Sequence, residues 1–303
     1  MSVEVALSVG PARLDIAYEQ FGEPDSPAVL LLMGLGTQML GWPDGFCIEL
    51  AARGLHVIRF DNRDIGLSSH LPDAPMPDVR AVMTGDTSSA SYRLSDMAAD
   101  TVGLLDHLGL QSAHLVGASM GGMIAQTMAI ESPERVRSLT SIMSTTGDPS
   151  VGQATQRALA ALLSPPAKTR EEAIERTVSI VRVIGSPAFE LDEPDLRWRA
   201  GLAYDRANDP VGVGRQLAAI AASGDRTGAL GSVTVPTLVI HGADDPLVNV
   251  SGGRATARAI PGAVLVVLDG MGHHLSRELW REIVRRIDEL VERAEERWRV
   301  RLR

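Results

Sequence analysis

The sequence predicts an α/β fold with a mostly parallel central sheet and helices on both faces. Continuous apolar runs such as residues 28–33 and 113–116 alternate with segments of helical periodicity. Such runs are typical of strands buried on both faces, as in parallel sheets covered by helices. Between residues 148 and 226 the helical periodicity continues without a convincing strand. A length of 303 residues accommodates one large α/β domain carrying such an insertion.

Strand and helix patterns alternate along the first half of the chain. The predicted strands are Leu14–Phe21, Ala28–Met33, Leu55–Phe60 and Ala113–Val116, and the predicted helices are Trp42–Arg53, Asp96–Leu108 and Gly122–Ala129. Gly54 is suited to end the first helix as a C-cap, and Ser95 is suited to begin the second as an N-cap. Residues 70–93, rich in Pro, Asp and Ser, predict a long irregular loop.

The second half of the chain predicts three further strands around the insertion. They are Arg137–Ser144, Val235–Ile240 and Ala263–Leu268, and an amphipathic helix fills the last residues. Within the insertion, helical spacing covers residues 153–163, 170–183, 194–203 and 213–222. We therefore predict a core domain of residues 1–147 and 227–303, and a helical cap of residues 148–226 that follows the strand Arg137–Ser144, counted as the sixth strand of the fold.

Composition restricts the classes of function. A net charge of -9 argues against a nucleic-acid partner and an anionic membrane surface. No apolar stretch is long enough to span a membrane, and no signal peptide is evident. The single cysteine, Cys47, lies on the apolar face of a predicted helix, which favours a packing role and a reducing, cytoplasmic location. Without a Cys/His cluster of metal-binding spacing, we expect no metal and no cofactor.

The pentapeptide Gly117-Ala118-Ser119-Met120-Gly121 lies between a predicted strand and a predicted helix. In that context the Gly-x-Ser-x-Gly pattern predicts a sharp turn that presents Ser119 as a nucleophile. A serine nucleophile needs a base, a carboxylate that orients the base, and donors for the oxyanion. In strand–turn–helix sites of this kind, the acid and then the histidine follow the serine along the chain.

Both partners are found in that order, each after a predicted strand. Asp244 and Asp245 follow the strand that ends at Ile240, and we choose Asp245, with Asp244 as the alternative. The glycine-flanked loop after the last strand carries His273 and His274, and we choose His273 as the base. For the oxyanion we predict the backbone N–H groups of Met120 and of Leu35, which lies in the Gly34–Gly36 loop.

With these motifs, the chain resembles the α/β-hydrolase superfamily over nearly its whole length. Within it, the chain is most similar to aclacinomycin methylesterase and related bacterial carboxylesterases. The resemblance rests on five segments: residues 33–34, 41–44, 55–64, 117–122 and 270–273. It implies the α/β-hydrolase fold, a triad of Ser119, Asp245 and His273, and an oxyanion hole formed by Leu35 and Met120. Met33 and Asp64 depart from the wider superfamily pattern, which has His and Gly there.

Substrate-binding residues are harder to predict. Met33, Met39, Met143 and Met271 fall near predicted active-site loops or strand ends, and Phe189, Trp198 and Tyr204 fall in the cap. They could form an apolar wall, although simple packing is an alternative for each. We interpret Asp61 and Arg63 as an ion pair that holds a loop, with substrate contact as the alternative. The charged residues 205–216 could contact a polar end of the substrate or only solvent.

The sequence thus predicts a serine hydrolase that cleaves a small to medium, partly apolar carboxylic ester through an acyl-enzyme. Lactone or enol-lactone, thioester and amide hydrolysis and cofactor-free perhydrolysis would use the same triad. A non-catalytic ligand-binding protein on the same fold is a remoter alternative. The expected partner is a small-molecule ester, and the sequence leaves homo-oligomerisation open.

Overall fold

A computed structural model describes residues 2–301 and contains a sheet of eight strands in the order β1-β2-β4-β3-β5-β6-β7-β8. The strands are β1 (Glu4–Val9), β2 (Leu14–Phe21), β3 (Ala28–Leu32), β4 (His56–Phe60), β5 (Ala113–Ala118), β6 (Val136–Ile142), β7 (Thr237–Gly242) and β8 (Val264–Leu268). All neighbours from β4 to β8 pair in parallel, whereas β2 pairs antiparallel with both β1 and β4. The predicted mostly parallel sheet is therefore confirmed.

Helices cover both faces of this sheet. They are α1 (Asp44–Ala51), α2 (Val79–Met83), α3 (Leu94–His107), α4 (Met120–Glu131), α5 (Gln156–Leu162), α6 (Arg170–Ile184), α7 (Glu193–Arg206), α8 (Pro210–Ser223), α9 (Thr227–Leu230), α10 (Ser251–Ala259) and α11 (Arg277–Arg301), with short 3-10 turns at Met39–Gly41 and Pro133–Arg135. Apolar side chains of α3 and α4 pack in one core cluster, and those of α1 and α11 pack in another. None of the described helices is both long and apolar enough to cross a membrane.

Strand register determines which loops meet at the carboxyl edge of the sheet. Leu32 is paired with Gly117, so the loop after β3 lies beside the turn after β5. Ile142 of β6 is paired with both Ala118 and Ile240, and Gly242 is paired with Leu268. The loops after β3, β5, β7 and β8 therefore converge at one edge, where open α/β sheets bind their ligands.

Three local predictions need correction. The first strand, β1, escapes the sequence pattern because only Ala6 and Val9 of its six residues are buried. Residues 70–93 contain the short helix α2. The helix α3 begins at Leu94 rather than Asp96, because the N–H of Arg93 donates to the Asp96 carboxylate (2.8 Å) and Ser95 does not cap it.

Four helices, α5 to α8, follow β6 within the segment predicted as a cap. The two ends of that segment adjoin, since the Arg226 N–H donates to the Thr146 carbonyl (2.9 Å) and Gly147 packs directly against the carbonyl of Gly224. Adjoining ends are what an insertion into a continuous sheet requires. The division at residues 148 and 226 stays a prediction, which these contacts favour.

Candidate active site

The turn after β5 holds Ser119 in an unusual backbone conformation. Ser119 has φ 55° and ψ -119°, a region that residues with a Cβ rarely occupy. Gly117 and Gly121 make this turn possible, because a side chain at Gly117 would overlap the Gly121 carbonyl and one at Gly121 would overlap the Leu32 carbonyl. The glycines of the pentapeptide are therefore required by steric fit, and Ser119 projects at the N-terminus of α4.

The three side chains chosen from the sequence lie in hydrogen-bonding contact. Nε2 of His273 is 3.0 Å from Oγ of Ser119, and Nδ1 is 2.7 Å from Oδ2 of Asp245. Because the Asp245 carboxylate can only accept, it fixes the proton on Nδ1 and leaves Nε2 free to accept from the serine hydroxyl. Oδ1 of Asp245 accepts from the N–H groups of Leu247 (2.9 Å) and Val248 (2.8 Å). The Asp245 side chain is fully buried.

The alternative acid, Asp244, has a different position. Its Oδ2 accepts from the N–H of Gly270 (2.9 Å), so it ties the histidine loop to β7 instead of contacting the imidazole. The same loop is held from the cap side, where the His273 N–H donates to the Ile184 carbonyl (2.7 Å) and the Gly272 N–H donates to Oγ of Ser186 (3.1 Å). Both contacts place the end of α6 directly over the loop that carries His273.

Two further histidines flank the triad, and burial keeps both neutral. His241 donates from Nε2 to the Val248 carbonyl (2.7 Å), and burial lowers its pKa. Burial, together with the charges of Arg199 and His273, lowers the pKa of His274 to about 4. Near neutral pH neither ring therefore adds a positive charge beside the base.

The loop after β3 lies against the nucleophile. A tight turn closes between the Thr37 N–H and the Gly34 carbonyl (3.2 Å), and a Cβ on Gly34 would stand 3.2 Å from Cβ of Ser119. No acceptor among residues 2–301 takes the N–H of Leu35 or Met120. Two unpaired N–H groups beside a serine hydroxyl are what an oxyanion hole needs.

Several residues predicted to bind substrate pack around this site. Met33, Met143 and Met271 are buried in the core cluster that also includes α1 and α11, and the half-buried Phe189 packs against it. Met39 is fully buried, and its N–H donates to Asp61 (2.7 Å). These placements leave the substrate role of the five residues a prediction.

The positions of two residues in the segment predicted as a cap do not fit the predicted apolar substrate-binding wall. The Trp198 side chain is 63% exposed on the protein surface, so its predicted lining role is wrong. The hydroxyl of Tyr204 donates to the carbonyl of Lys168 (3.3 Å) within the cap, which fits the packing alternative. Helical spacing alone could not distinguish the inner face of α7 from its outer face.

The predicted ion pair between Asp61 and Arg63 is also wrong, although both residues hold loops. The Arg63 guanidinium binds Asp100 of α3 (2.6 and 2.7 Å), while Asp61 binds Arg206 of α7. Burial raises the pKa of Asp61, and the charge of Arg206 together with the N–H groups of Leu67 and Met39 opposes that rise. Two residues apart on an irregular loop, the side chains diverge to different partners.

The charged segment 205–216 is divided between solvent and the core: Asp205 is exposed, as one of the two sequence interpretations allowed, whereas Arg206 and Arg215 point inward to buried carboxylates. Arg215 forms two bonds to the buried carboxylate of Asp64 (2.9 and 2.8 Å), and Asp209 lies 2.7 Å from Nδ1 of His70. Asp64 has φ 65°, a conformation that favours glycine, which stands there in the wider superfamily. Arg215 gives a physical reason for the departure, because it pairs with the carboxylate that Asp64 introduces.

Asp64, His70 and Asp209 stand close enough together to suggest a metal site. Their ligand atoms are already engaged, however. Besides Arg215, the Asp64 carboxylate accepts from the Tyr92 hydroxyl (2.9 Å) and the Leu71 N–H (2.9 Å), and both ring nitrogens of His70 have partners. We therefore read the cluster as a polar junction between the β4 loop and α8.

Two cavities lie outside the triad. One of about 380 Å³ is bounded by residues of β6 and α11, including Arg137 and Trp298, and one of about 550 Å³ lies between α5 and α6 around Pro165 and Arg176. Neither is lined by a triad residue. The His273 side chain is only 8% exposed, and the end of α6 lies against its loop through the Ile184 carbonyl.

Comparison with known proteins agrees with this architecture. Residues 27–278 match the family model for the alpha/beta hydrolase fold. The chain is 32% identical over 279 residues to a rhodomycin D methylesterase of Streptomyces peucetius, covering 85% of this chain and 88% of that protein. It is 28% identical over 253 residues to a 3-oxoadipate enol-lactonase of Acinetobacter baylyi, covering 83% and 84% of the two chains. The crystal structure of an enol-lactonase from Burkholderia xenovorans superposes with a TM-score of 0.73 at 22% identity, covering 95% and 100% of the two chains.

Proposed function

The chain belongs to the α/β-hydrolase family, and from that premise we propose that it hydrolyses a carboxylic ester with Ser119 as the nucleophile. The observation that carries the proposal is the hydrogen-bonded series of Ser119, His273 and Asp245 at the carboxyl edge of the sheet. The relatives named methylesterases, which are carboxylic ester hydrolases, support the proposal.

In the first step, Nε2 of His273 takes the hydroxyl proton of Ser119 as Oγ bonds to the acyl carbon. The negative charge moves to the former carbonyl oxygen, which accepts from the N–H groups of Leu35 and Met120. When the tetrahedral intermediate collapses, the bond to the alcohol breaks, and the imidazolium gives its proton to the leaving oxygen. Asp245 stabilises the imidazolium while it carries the proton.

In the second step, a water molecule takes the place of the alcohol. His273 accepts a proton from that water as its oxygen bonds to the acyl carbon of the acyl-enzyme. Collapse of the second intermediate breaks the bond to Oγ, returns the proton to Ser119 and releases the acid. No residue other than the triad and the two backbone donors changes its bonding.

The side chains around the site favour a small to medium, partly apolar ester. Met33, Met143, Met271 and Phe189 pack in one apolar cluster beside the triad loops. Methionine side chains adapt to irregular apolar shapes, so this wall suits an acyl or alcohol group without charge.

Enol-lactone hydrolysis is the second candidate, favoured by the relative named a 3-oxoadipate enol-lactonase. A lactone is an internal ester, so the same two steps open its ring and the leaving alcohol stays attached to the product. Thioester hydrolysis and perhydrolysis use the same triad, but no observation favours them. The cytoplasmic location rests on the single cysteine and stays a prediction.

Substitution of Ser119 tests the proposal. We expect Ser119→Ala to lower kcat on p-nitrophenyl esters by roughly 10⁴-fold or more and to abolish labelling by a fluorophosphonate probe. An unchanged circular dichroism spectrum and melting temperature would show that the variant is folded. Near-full activity in folded Ser119→Ala would overturn the proposal. A panel of acyl esters, lactones and thioesters on the unsubstituted protein then separates the two candidates.

A further inference from the structure

Gln216 lies on α8 with its side chain fully buried, and it connects two loops at the carboxyl edge of the sheet. Its Oε1 accepts from the N–H of Gly36 (2.9 Å), next to Leu35 in the loop after β3. Its Nε2 donates to the carbonyl of Arg63 (2.8 Å), in the loop after β4. Both ends of the amide are therefore used on backbone groups more than 150 positions away in the chain.

The Gly36 N–H belongs to the central peptide of the turn from Gly34 to Thr37. In such turns the central peptide can rotate by roughly 180° between turn types, which redirects its N–H and carbonyl groups. Gly36 has φ 64°, the sign that type II turns require at this position. An acceptor on the Gly36 N–H therefore selects one orientation of the Leu35–Gly36 peptide, and with it one shape of the turn that begins at the Leu35 N–H.

α8 also restrains the same turn by packing. A Cβ on Gly36 would stand 3.0 Å from Cγ1 of Val213, one helical turn before Gln216. On the other side of the turn, Gly34 lies against Ser119. The turn is thus enclosed between α8 and the nucleophile, and the hydrogen bond from Gly36 to Gln216 sets its orientation within that space.

We propose that Gln216 is a positioning residue. It fixes the turn after β3 against α8, and so keeps the Leu35 N–H, which lies in the peptide just before the central one, in place for the oxygen that becomes negative. The inference depends on the proposed function, because it assumes that Leu35 is an oxyanion donor. Gln216 does not touch the reacting atoms. Its effect is to fix the donor in place before the charge develops, which is the condition for strong electrostatic stabilisation.

The test compares Gln216→Leu and Gln216→Glu with the control Gln126→Leu. Gln126 is also a fully buried glutamine with both ends hydrogen-bonded, to Ser141 (3.2 Å) and Arg226 (3.4 Å), and it contacts neither loop. Its substitution therefore reproduces the general cost of losing a buried amide. The readouts are kcat and KM on a p-nitrophenyl ester and the Ki of a trifluoromethyl ketone, whose adduct on a serine carries an oxyanion.

For Gln216→Leu we expect kcat to fall about 10- to 100-fold, which is somewhat less than the fall caused by removing a whole oxyanion donor. KM should change by less than about threefold. The Ki of the ketone should rise in parallel with the loss in kcat/KM. Gln216→Glu keeps an acceptor for Gly36 but cannot donate to Arg63 when ionised, so its loss should be smaller. If Gln216→Leu does not fold, Gln216→Met takes its place, because it also removes the acceptor for Gly36 and fills a similar volume.

The inference is overturned if folded Gln216→Leu keeps kcat within about twofold, if Gln216→Glu loses as much kcat as Gln216→Leu, or if Gln126→Leu loses as much kcat as Gln216→Leu. It is also overturned if the ketone binds Gln216→Leu as tightly as it binds the unsubstituted protein. Each of these results leaves the Ser119-dependent activity intact. Failure of the proposed function looks different, since Ser119→Ala would then remain active.

Discussion

His274, directly after the triad histidine, shows how burial of one side chain affects behaviour in solution. In the folded protein its pKa is lowered to about 4, chiefly by burial and further by Arg199 and His273, from an ordinary value of 6.5. Between these two values the unfolded chain binds a proton that the folded chain does not. Stability therefore rises with pH across this window and is independent of His274 above it.

We predict that His274→Asn makes the free energy of unfolding less dependent on pH between pH 6.5 and pH 4. The shift corresponds to a loss of at most about 3.5 kcal/mol of stability as the pH falls through the window, and we expect the variant to avoid a large part of that loss. Urea denaturation at pH 7.5, 5.5 and 4.5 measures the difference. The two proteins should show a constant offset above pH 7, and an equal offset at all three values would contradict the prediction.

The three side chains that meet at the carboxyl edge of the sheet could be selected from the sequence because each has a local signature. Ser119 is marked by glycines that steric fit requires, and Asp245 and His273 follow strands in a fixed order. Gln216 has no such mark, since a glutamine in a helix is ordinary and its role depends on two distant loops. Asp64 did give a signal, as a non-glycine residue where glycine is expected, but only the structure identifies Arg215 as its partner.

Among the elements, the turn after β3 and the helix α8 form the junction on which the proposed oxyanion hole would depend. Gly36 and Gly54 both have positive φ, at 64° and 77°. A Cβ at Gly36 would meet Val213, whereas a Cβ at Gly54 would meet nothing within 4 Å. Substituting Gly54 by alanine therefore measures the cost of backbone strain alone. The same substitution at Gly36 adds the cost of displacing the turn.

We predict that Gly54→Ala destabilises the protein by about 1 to 2 kcal/mol, the cost of a left-handed alanine, and leaves kcat unchanged. Gly36→Ala should cost more and should lower kcat on the same ester at least roughly tenfold, because the turn moves away from α8. Thermal denaturation and steady-state kinetics measure both. Equal effects on kcat would contradict the view that α8 positions this turn.

The helix α7 is attached to the core through a buried ion pair between Arg206 and Asp61. The Asp61 side chain is fully buried, and it also accepts from the N–H groups of Met39 (2.7 Å) and Leu67 (2.9 Å). Arg206 donates in addition to Gln38 (2.8 Å). Removing the arginine leaves a buried carboxylate without its cation, which is a costly state.

We predict that Arg206→Gln lowers the free energy of unfolding by about 2 to 4 kcal/mol. The control is Arg170→Gln, which breaks an exposed pair with Asp205 whose side chains are 51% and 52% exposed, and which should cost less than about 1 kcal/mol. Urea denaturation of the two variants and the unsubstituted protein measures both losses in the free energy of unfolding. Similar costs would show that Asp61 does not depend on Arg206.

Helices and strands that are buried and regular could be predicted from the sequence pattern, whereas elements that are short or only partly buried could not. β3, β4 and β5 are buried along their whole length and were found from their apolar runs. β1 is an edge strand with exposed Val5 and Leu7, so its side chains lack the expected alternation. α2 is a five-residue helix within a loop, too short to show a helical period.

For the whole molecule, the sequence predicts the sheet and its covering helices better than it predicts how the helices α5 to α8 are oriented. The order of strands and helices follows from local patterns, and the structure and the relatives confirm the α/β-hydrolase fold. The orientation of α7 and α8 depends on pairs such as Arg206 with Asp61 and Arg215 with Asp64, which lie far apart in the chain. No local pattern could show that these charges face the core instead of solvent.

The covalent acyl-enzyme records which atom attacks the substrate, so its identification is the decisive measurement for Ser119. Rapid-quench intact-mass spectrometry during turnover of a p-nitrophenyl ester should show one added acyl group, and peptide mapping should locate it on Ser119. A burst of p-nitrophenol of about one equivalent should accompany it if loss of the acyl group is the slower step. Fluorophosphonate treatment should label the same peptide and stop turnover. Sustained hydrolysis after complete labelling of Ser119, or an acyl group on any other residue during turnover, would contradict the account.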